Sequence, residues 1–271
     1  MRDTLSVIIA TKDRHDFVKR CFDSLMKQSE KPDEVIVVDS SKNKMQLRGA
    51  KVFHKICNLS EGRSFGAKAA GGDILLFLDD DVVLDTEYIR TIKDFYESNP
   101  DCFGAEGAIA NQRNRRIMER LFTFQSIGSI FLDSKSFRVR GLCGSNMSYR
   151  REVFNFYDFD TSIEWLVEDD DFSLRASKRF NFYYVSDAKV YHLPASTGGG
   201  NRDRDNKKMY SKRIHFIFRT FRNTEKKNIL DFISFFMSNL VIFARLIKSN
   251  NPRGIKGVLD AYWSMVSSSH E

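Results

Sequence analysis

The sequence has little cysteine, proline or glycine. Only four of its 271 residues are cysteines, and no two of them form a Cys-x-x-Cys pair. This spacing excludes a zinc ribbon and a dense disulfide scaffold, and it favours a reducing compartment. The 4 prolines and 15 glycines are too few for a collagen-like or low-complexity chain.

Long apolar runs are also missing. The first four residues carry no hydrophobic stretch, so we expect no signal peptide. Near the C-terminus, the uncharged segment 232–244 is shorter than the roughly 20 residues that a spanning helix needs. We expect it to lie in the membrane plane beside basic residues, as a peripheral attachment. Packing on the preceding part of the chain, or in a homodimer, stays open as the alternative.

Aromatic and basic residues are plentiful. The chain has 24 Phe and 9 Tyr, far too many for a disordered protein. Its formal net charge of +7 favours anionic partners, such as nucleic acid, anionic lipid or phosphorylated substrates. The length suits one large domain or two small ones. We predict a catalytic domain over 1–215 and a C-terminal helical region over 216–271.

Short apolar runs alternate with helical patterns in the first hundred residues. Runs at 5–10, 34–39 and 73–78 read as buried strands, with helical spacing over 16–28 and 86–96 between and after them. This alternation predicts an α/β fold with a mostly parallel sheet flanked by helices. The polar residues that directly follow each run should meet at one edge of the sheet, where ligands bind in such folds.

Three consecutive carboxylates, Asp79, Asp80 and Asp81, follow the third of these runs. Such a group repels itself unless a cation or hydrogen-bond donors balance it, and divalent cations prefer carboxylate oxygens. In extended backbone Asp79 and Asp81 point to one side and Asp80 to the other. Asp79 and Asp81 are therefore candidate ligands of one metal ion, with a solvated acidic turn as the alternative.

Six segments, in this order, resemble motifs of the inverting family 2 glycosyltransferases, which have the GT-A fold, a Rossmann-like architecture. The resemblance covers about residues 5–195 and differs from the common pattern at Asp13 and Ser64, where the family usually has Asn. The matching segments are Ser6–Thr11, Glu34–Ser41, Glu61–Ala67, Gly72–Asp81, Gly144–Phe154 and Glu168–Arg175, and Val190–His192 matches a strand that ends in His.

The resemblance implies roles for individual residues. It implies that Asp169 is the catalytic base, with Asp170 as second choice, and that Mn²⁺ or Mg²⁺ is the cofactor. His192 is the third candidate metal ligand, since imidazole suits Mn²⁺ better than Mg²⁺. Trp165 offers an aromatic face to a sugar, with burial in the core as an equal alternative. The donor side comprises Thr11, Asp39, Arg63, Asp79 and Asp80, the acceptor side Asn146, Trp165 and Glu168, and the metal site Asp79, Asp81 and His192.

These observations predict a metal-dependent inverting glycosyltransferase. It would move a sugar from a nucleotide-sugar donor to a hydroxyl of a glycan acceptor, which we expect to be lipid-linked, at the cytoplasmic face of the cell membrane. We expect no nucleic-acid partner. Two alternatives stay open: a sugar-phosphate nucleotidyltransferase, and a non-enzymatic basic protein that binds membrane or nucleic acid. The first usually has a glycine-rich phosphate loop after its first strand, and residues 11–14 contain no glycine.

Overall fold

The computed structural model describes residues 2–112, 136–164 and 166–193, together with parts of 211–267. The chain divides into two compact units, one from 1–113 and 131–199 and the other from 114–130 and 200–271. The division that the sequence predicts, between 1–215 and 216–271, stays a prediction.

The first unit is built on one sheet that has nine strands among the described residues. Its first half is parallel, as the apolar runs predict: β2 pairs with β1 and β3, and β1 pairs with β4. Thr11 is opposite Asp39, so β1 and β2 end side by side at the same edge. These strands are β1 (Leu5–Thr11), β2 (Glu34–Asp39), β3 (Lys51–His54) and β4 (Ile74–Leu78).

The second half of the sheet is mixed, where the sequence analysis expected mostly parallel pairing. β8 lies antiparallel between β4 and β6, and β9 pairs parallel with β6 but antiparallel with β5 and β7. β9 is one continuous strand that reaches the His of the Val190–His192 segment. The elements are β5 (Val82–Leu84), β6 (Cys102–Ile109), β7 (Ser136–Val139), β8 (Met147–Arg150) and β9 (Asn181–His192).

Helices cover both faces of this sheet, which is why β1, β2 and β4 are largely apolar and buried. One buried cluster joins α1 and α3 to the sheet, and a second joins residues of α2 and α4 to the other face. α2 begins at Leu59, where Asn58 and Glu61 form a capping box. The helices are α1 (His15–Met26), α2 (Leu59–Ala69), α3 (Tyr88–Ser98) and α4 (Glu168–Ala176).

The second unit is helical where it is described. Its last helix, α5 (Pro252–Ser267), buries Val258 and Ala261 in a small core with Ile214, Ile242 and Leu246. Most of the apolar segment 232–244 lies outside the described residues, so its predicted position in the membrane plane stays a prediction. Within the described parts of the chain, no helix is both long and apolar enough to cross a membrane.

Candidate active site

Two loops that follow β1 and β2 are joined at the edge of the sheet. The backbone N–H of Asp13 donates to Ser41 Oγ (2.7 Å), and the N–H of Lys42 donates to Asp13 Oδ1 (3.0 Å). Asp13 has a φ of 55°, a left-handed conformation that non-glycine residues seldom adopt. Its two bonds to the neighbouring loop hold this conformation, and because an Asn could make the same two bonds, they do not explain the departure from the family's Asn at position 13.

Asp39 supports its own loop from within the protein. It is fully buried, and its two carboxylate oxygens accept hydrogen bonds from the N–H groups of Ser41 (3.0 Å) and Met45 (2.8 Å). Burial opposes ionisation of this group, but the hydrogen bonds from Ser41 and Met45 lower its pKa below the ordinary value. His15 Nε2 is 3.7 Å from Oδ1. The carboxylate is therefore negatively charged and rigidly held just below the sheet edge.

The middle aspartate of the triplet turns toward the loop after β1. Asp80 accepts a hydrogen bond from Thr11 Oγ1 (2.7 Å) and pairs with Arg14 Nη1 (2.5 Å). Burial raises the pKa of Asp80 to about 7, although Arg14 and Thr11 oppose this shift. Both Thr11 and Asp80, predicted to bind the donor, thus bind each other. Arg14, which the sequence analysis did not select, joins them and also pairs with Asp81 (2.8 Å).

Asp79, Asp81 and His192 lie together, as the sequence analysis expected of metal ligands. One ligand atom from each lies within 4.8 Å of the others. Asp81 is buried, and its Oδ1 faces His192 Nε2 at 3.3 Å but accepts no hydrogen bond among the described residues. A buried oxygen in this state is costly unless something binds it. Two carboxylates and an imidazole are a suitable ligand set for Mn²⁺.

The pairing of β5 with β9 brings His192 to the aspartates. Val82, directly after the triplet, is opposite His192 in the sheet, and the N–H of Leu193 donates to the Asp81 carbonyl (2.7 Å). Asn111 holds the other side: its Nδ2 donates to the His192 carbonyl (2.7 Å), and its Oδ1 accepts from the His192 N–H (3.1 Å). The backbone on both sides of the imidazole is therefore fixed.

Arg63 connects this cluster with the acidic helix α4. Its Nη2 pairs with Asp79 (3.0 Å) and donates to the Gly144 carbonyl (3.1 Å), while Nη1 pairs with Glu168 (2.7 Å). Only 3% of Arg63 is exposed. In all three bonds the acceptor is another residue of this chain. The guanidinium therefore links the triplet, the segment before β8 and α4.

The acidic run at the start of α4 separates into residues with different surroundings. Asp169 Oδ2 accepts a hydrogen bond from the Gly144 N–H (2.6 Å), and Oδ1 accepts from the Asp170 N–H (3.0 Å). Asp171 is buried and pairs with Arg175 (2.8 Å). Glu168 is 4% exposed, and burial together with Asp169 raises its pKa to about 7, against the opposing effect of Arg63.

Of two further residues predicted for the acceptor side, Asn146 and Trp165, the structure describes only the first. Asn146 is fully buried. Its side-chain Nδ2 donates to the Gly107 carbonyl (3.2 Å), and its backbone carbonyl accepts from the Tyr88 hydroxyl (3.0 Å). It therefore lies beneath the site surface. Trp165 lies outside the described residues, so its role stays a prediction. The next residue, Leu166, has a φ of 92°, a strained conformation that often marks functional segments.

Sequence reasoning missed Arg14 and Gly144. Arg14 comes three residues after Thr11, the last residue of β1. Because β2 and β4, the neighbours of β1, are each followed or ended by acidic residues, a basic residue at this position could have been predicted to pair with them. Gly144 begins a segment that resembles the family, but the sequence does not show its role, because its contacts come from α2 and α4, which are far away in the chain.

Comparison with known proteins finds one sequence family and two relatives that this chain resembles. The sequence model of glycosyl transferase family 2 matches residues 6–157. A glucosyl-dolichyl phosphate glucuronosyltransferase of Haloferax volcanii is 26% identical over 252 residues, which cover 84% of this chain and 78% of the relative. A glycosyltransferase GlyA of Streptococcus pneumoniae is 24% identical over 142 residues, 48% of this chain and 20% of that protein.

Solved structures with the same fold include two glycosyltransferase complexes. S. aureus TarS with UDP-GlcNAc has a TM-score of 0.62 and 18% identity, covering 95% of this chain and 80% of that one. The mannosyltransferase PcManGT of Pyrobaculum calidifontis, with GDP-Man and Mn²⁺, has a TM-score of 0.61 and 12% identity, covering 100% and 76%. These likenesses confirm the predicted GT-A fold.

Proposed function

The chain belongs to glycosyl transferase family 2, and on that premise we propose that it transfers a sugar, with inversion, from a nucleotide-sugar donor to a hydroxyl of a lipid-linked glycan acceptor. Family membership makes it a glycosyltransferase and decides against both alternatives, the nucleotidyltransferase and the non-enzymatic binding protein. One observation carries the proposal: an unbroken series of contacts connects the candidate metal ligand Asp79, through Arg63 and Gly144, to the candidate base Asp169.

On the donor side, we propose that Asp79, Asp81 and His192 hold a divalent cation. The buried Asp81 Oδ1 without a hydrogen-bond donor and the chemistry of the three ligands both fit such an ion. When bound, the cation supplies positive charge to the diphosphate leaving group. The joined loops at Asp13 and Ser41 would form the nucleoside side, where the buried Asp39 would hold its loop in place. Thr11 and Asp80 would support this side through their hydrogen bond.

On the acceptor side, we propose Asp169 as the general base. It would accept the proton of the acceptor hydroxyl while that oxygen bonds to the anomeric carbon and the bond from this carbon to the diphosphate breaks. One such displacement inverts the configuration. Because Gly144 and Asp170 each donate to a different oxygen of Asp169, the carboxylate has one orientation, and each oxygen keeps a lone pair for the proton.

Two observations support a lipid-linked acceptor at a membrane surface. The relative from Haloferax volcanii is named a glucosyl-dolichyl phosphate glucuronosyltransferase, which favours a lipid-phosphate-linked sugar as the acceptor class. On α5, Lys256, Leu259 and Trp263 follow one another at intervals of three and four residues, so they share a face. Leu259 is 56% exposed and Trp263 77%. We propose reversible attachment at the cytoplasmic side of the membrane through this face.

A donor panel tests the function directly. UDP-, dTDP- and GDP-sugars are incubated with Mn²⁺ and a synthetic polyprenyl-phosphate-linked sugar, and release of nucleoside diphosphate is measured. We expect one donor class to give release that depends on the acceptor, and NMR of the product to show inverted anomeric configuration. Retained configuration would contradict the mechanism, full activity in EDTA would contradict the metal, and no release with any donor would contradict the proposed function.

A further inference from the structure

The peptide groups on the two sides of Gly144 bind different parts of the site. Its N–H donates to Asp169 Oδ2 (2.6 Å), and its carbonyl accepts from Arg63 Nη2 (3.1 Å). The next carbonyl, that of Ser145, accepts from the Asp79 N–H (3.3 Å). The short segment between β7 and β8 thus contacts the candidate base, the bridging arginine and the first aspartate of the triplet.

Position 144 has no space for a side chain. A Cβ there would lie 2.6 Å from Arg63 Nη2 and 2.8 Å from Nη1. Comfortable contacts between non-bonded atoms are roughly 3.5–4.0 Å. The backbone at Gly144 does not adopt the left-handed conformation that favours glycine, so the requirement is space for the guanidinium.

Arg63 has little freedom to move away from an added atom. It extends from α2, whose start is fixed by the capping box of Asn58 and Glu61. Glu168 holds Nη1, Asp79 holds Nη2, and the side chain is almost completely buried. An added methyl group would therefore displace the guanidinium or the Gly144 peptide by about 1 Å, given the separation that contacts need.

We infer that Gly144 and Arg63 are a pair of positioning residues for the base Asp169: Arg63 holds the Gly144 peptide, and that peptide's N–H orients the Asp169 carboxylate. The inference rests on the proposed function and assigns Arg63 to the acceptor half of the reaction rather than to donor binding. A displacement of about 1 Å at a catalytic group can reduce a rate on the order of 10²-fold.

Steady-state kinetics of four proteins test this pair: the wild type, Gly144→Ala, Arg63→Lys and the double variant. Because Arg63 also pairs with Asp79 (3.0 Å), the assays use saturating Mn²⁺ and report kcat and donor KM separately. We expect kcat to fall about 10- to 10²-fold in each single variant, with the donor KM within about threefold of the wild type, because the main effect is on the orientation of the base. The double variant should be about as slow as the slower single variant, since both changes break one connection. Gly71→Ala, at an exposed glycine outside the site, is the matched control and should keep the wild-type kcat.

Each other outcome is decisive. Additive losses in the double variant, or a raised donor KM with unchanged kcat in Arg63→Lys, would overturn the pairing and return Arg63 to the donor side. If Gly144→Ala does not fold, Arg63→Lys alone decides by the same split between kcat and KM. A wild type that transfers no sugar would overturn the proposed function, whereas an active wild type with an equally active Gly144→Ala overturns only this inference.

Discussion

At the scale of single residues, Asp169 and Asp170 differ by their hydrogen bonds although they are adjacent in the chain. Asp169 is held by the Gly144 N–H and by the start of its own helix. We predict that Asp169→Asn folds and binds nucleotide but transfers sugar about 10²–10⁴-fold more slowly, because the amide cannot accept the proton. Asp170→Asn is the matched control. Comparable loss of kcat in Asp170→Asn, with an active Asp169→Asn, would move the base by one residue.

Glu168 allows a test of burial by pH. Its pKa in the folded protein is raised to about 7, so burying it contributes most stability below its unfolded pKa of about 4.5, and this contribution is lost as the pH rises through about 7. Glu168→Gln has no such titration. We therefore predict that the melting temperature of the variant, relative to wild type, rises between pH 5 and pH 8.5. A constant difference across this range would show that Arg63 keeps Glu168 ionised throughout.

At the scale of elements, the candidate metal site depends on how strand ends meet. The triplet follows β4 and precedes β5, and β9 supplies His192 by pairing with β5. The triplet supplies two of the three candidate ligands and β9 supplies the third, so neither is sufficient alone. This arrangement means that the ligands are preorganised by the sheet, so removing one ligand should weaken cation binding without unfolding the sheet.

We predict that Asp81→Asn abolishes Mn²⁺ binding, measured by electron paramagnetic resonance of free Mn²⁺, and with it the Mn²⁺-dependent thermal stabilisation by nucleoside diphosphate. The reason is the loss of one negative charge and the replacement of one of the two carboxylate oxygens by an amide NH2, which cannot bind a cation, in a cluster where Asp81 Oδ1 faces His192. Asp23→Asn removes the same charge at an exposed position on α1 and serves as the control. Unchanged Mn²⁺ affinity in Asp81→Asn would exclude this cluster as the metal site.

At the scale of the whole molecule, the net charge of +7 and the exposed face of α5 both concern attachment to a membrane. Burying Leu259 and Trp263 in a lipid interface would contribute roughly 1.5–3 kcal/mol each. Each basic residue near an anionic surface adds about 1 kcal/mol. A total binding free energy of this size supports reversible attachment to the membrane and is far too small for permanent insertion.

We predict that the protein sediments with phosphatidylglycerol-containing vesicles, and that replacing both Leu259 and Trp263 by Ser reduces the bound fraction severalfold without loss of secondary structure. High salt should release the wild type only in part, because salt screens the charges and leaves the apolar contacts. Phe156→Ser, at another exposed aromatic residue, is the control. Equal sedimentation of the double variant and the wild type would remove α5 from the membrane proposal.

The sequence by itself determined the local features of this protein. Continuous apolar runs are buried on both faces, so β1, β2 and β4 could be predicted, and with them the edge at which Thr11, Asp39 and Asp79 meet. Motif order was enough to predict the family and the three candidate metal ligands. The triplet is a turn between β4 and β5 rather than extended backbone, so the expected alternation of side chains does not apply: Asp80 faces Thr11, and Arg14 pairs with both Asp80 and Asp81.

The tertiary structure decided which partners these residues have. Asp39 and Asn146 are turned into the protein, Arg14 joins Asp80 to Asp81, and Gly144 lies against Arg63. The antiparallel half of the sheet also came only from the structure. The physical reason is distance along the chain: apart from the bonds of Asp39 to Ser41 and Met45, these contacts join residues tens of positions apart. Local propensity and periodicity carry no information about which distant segments pack together.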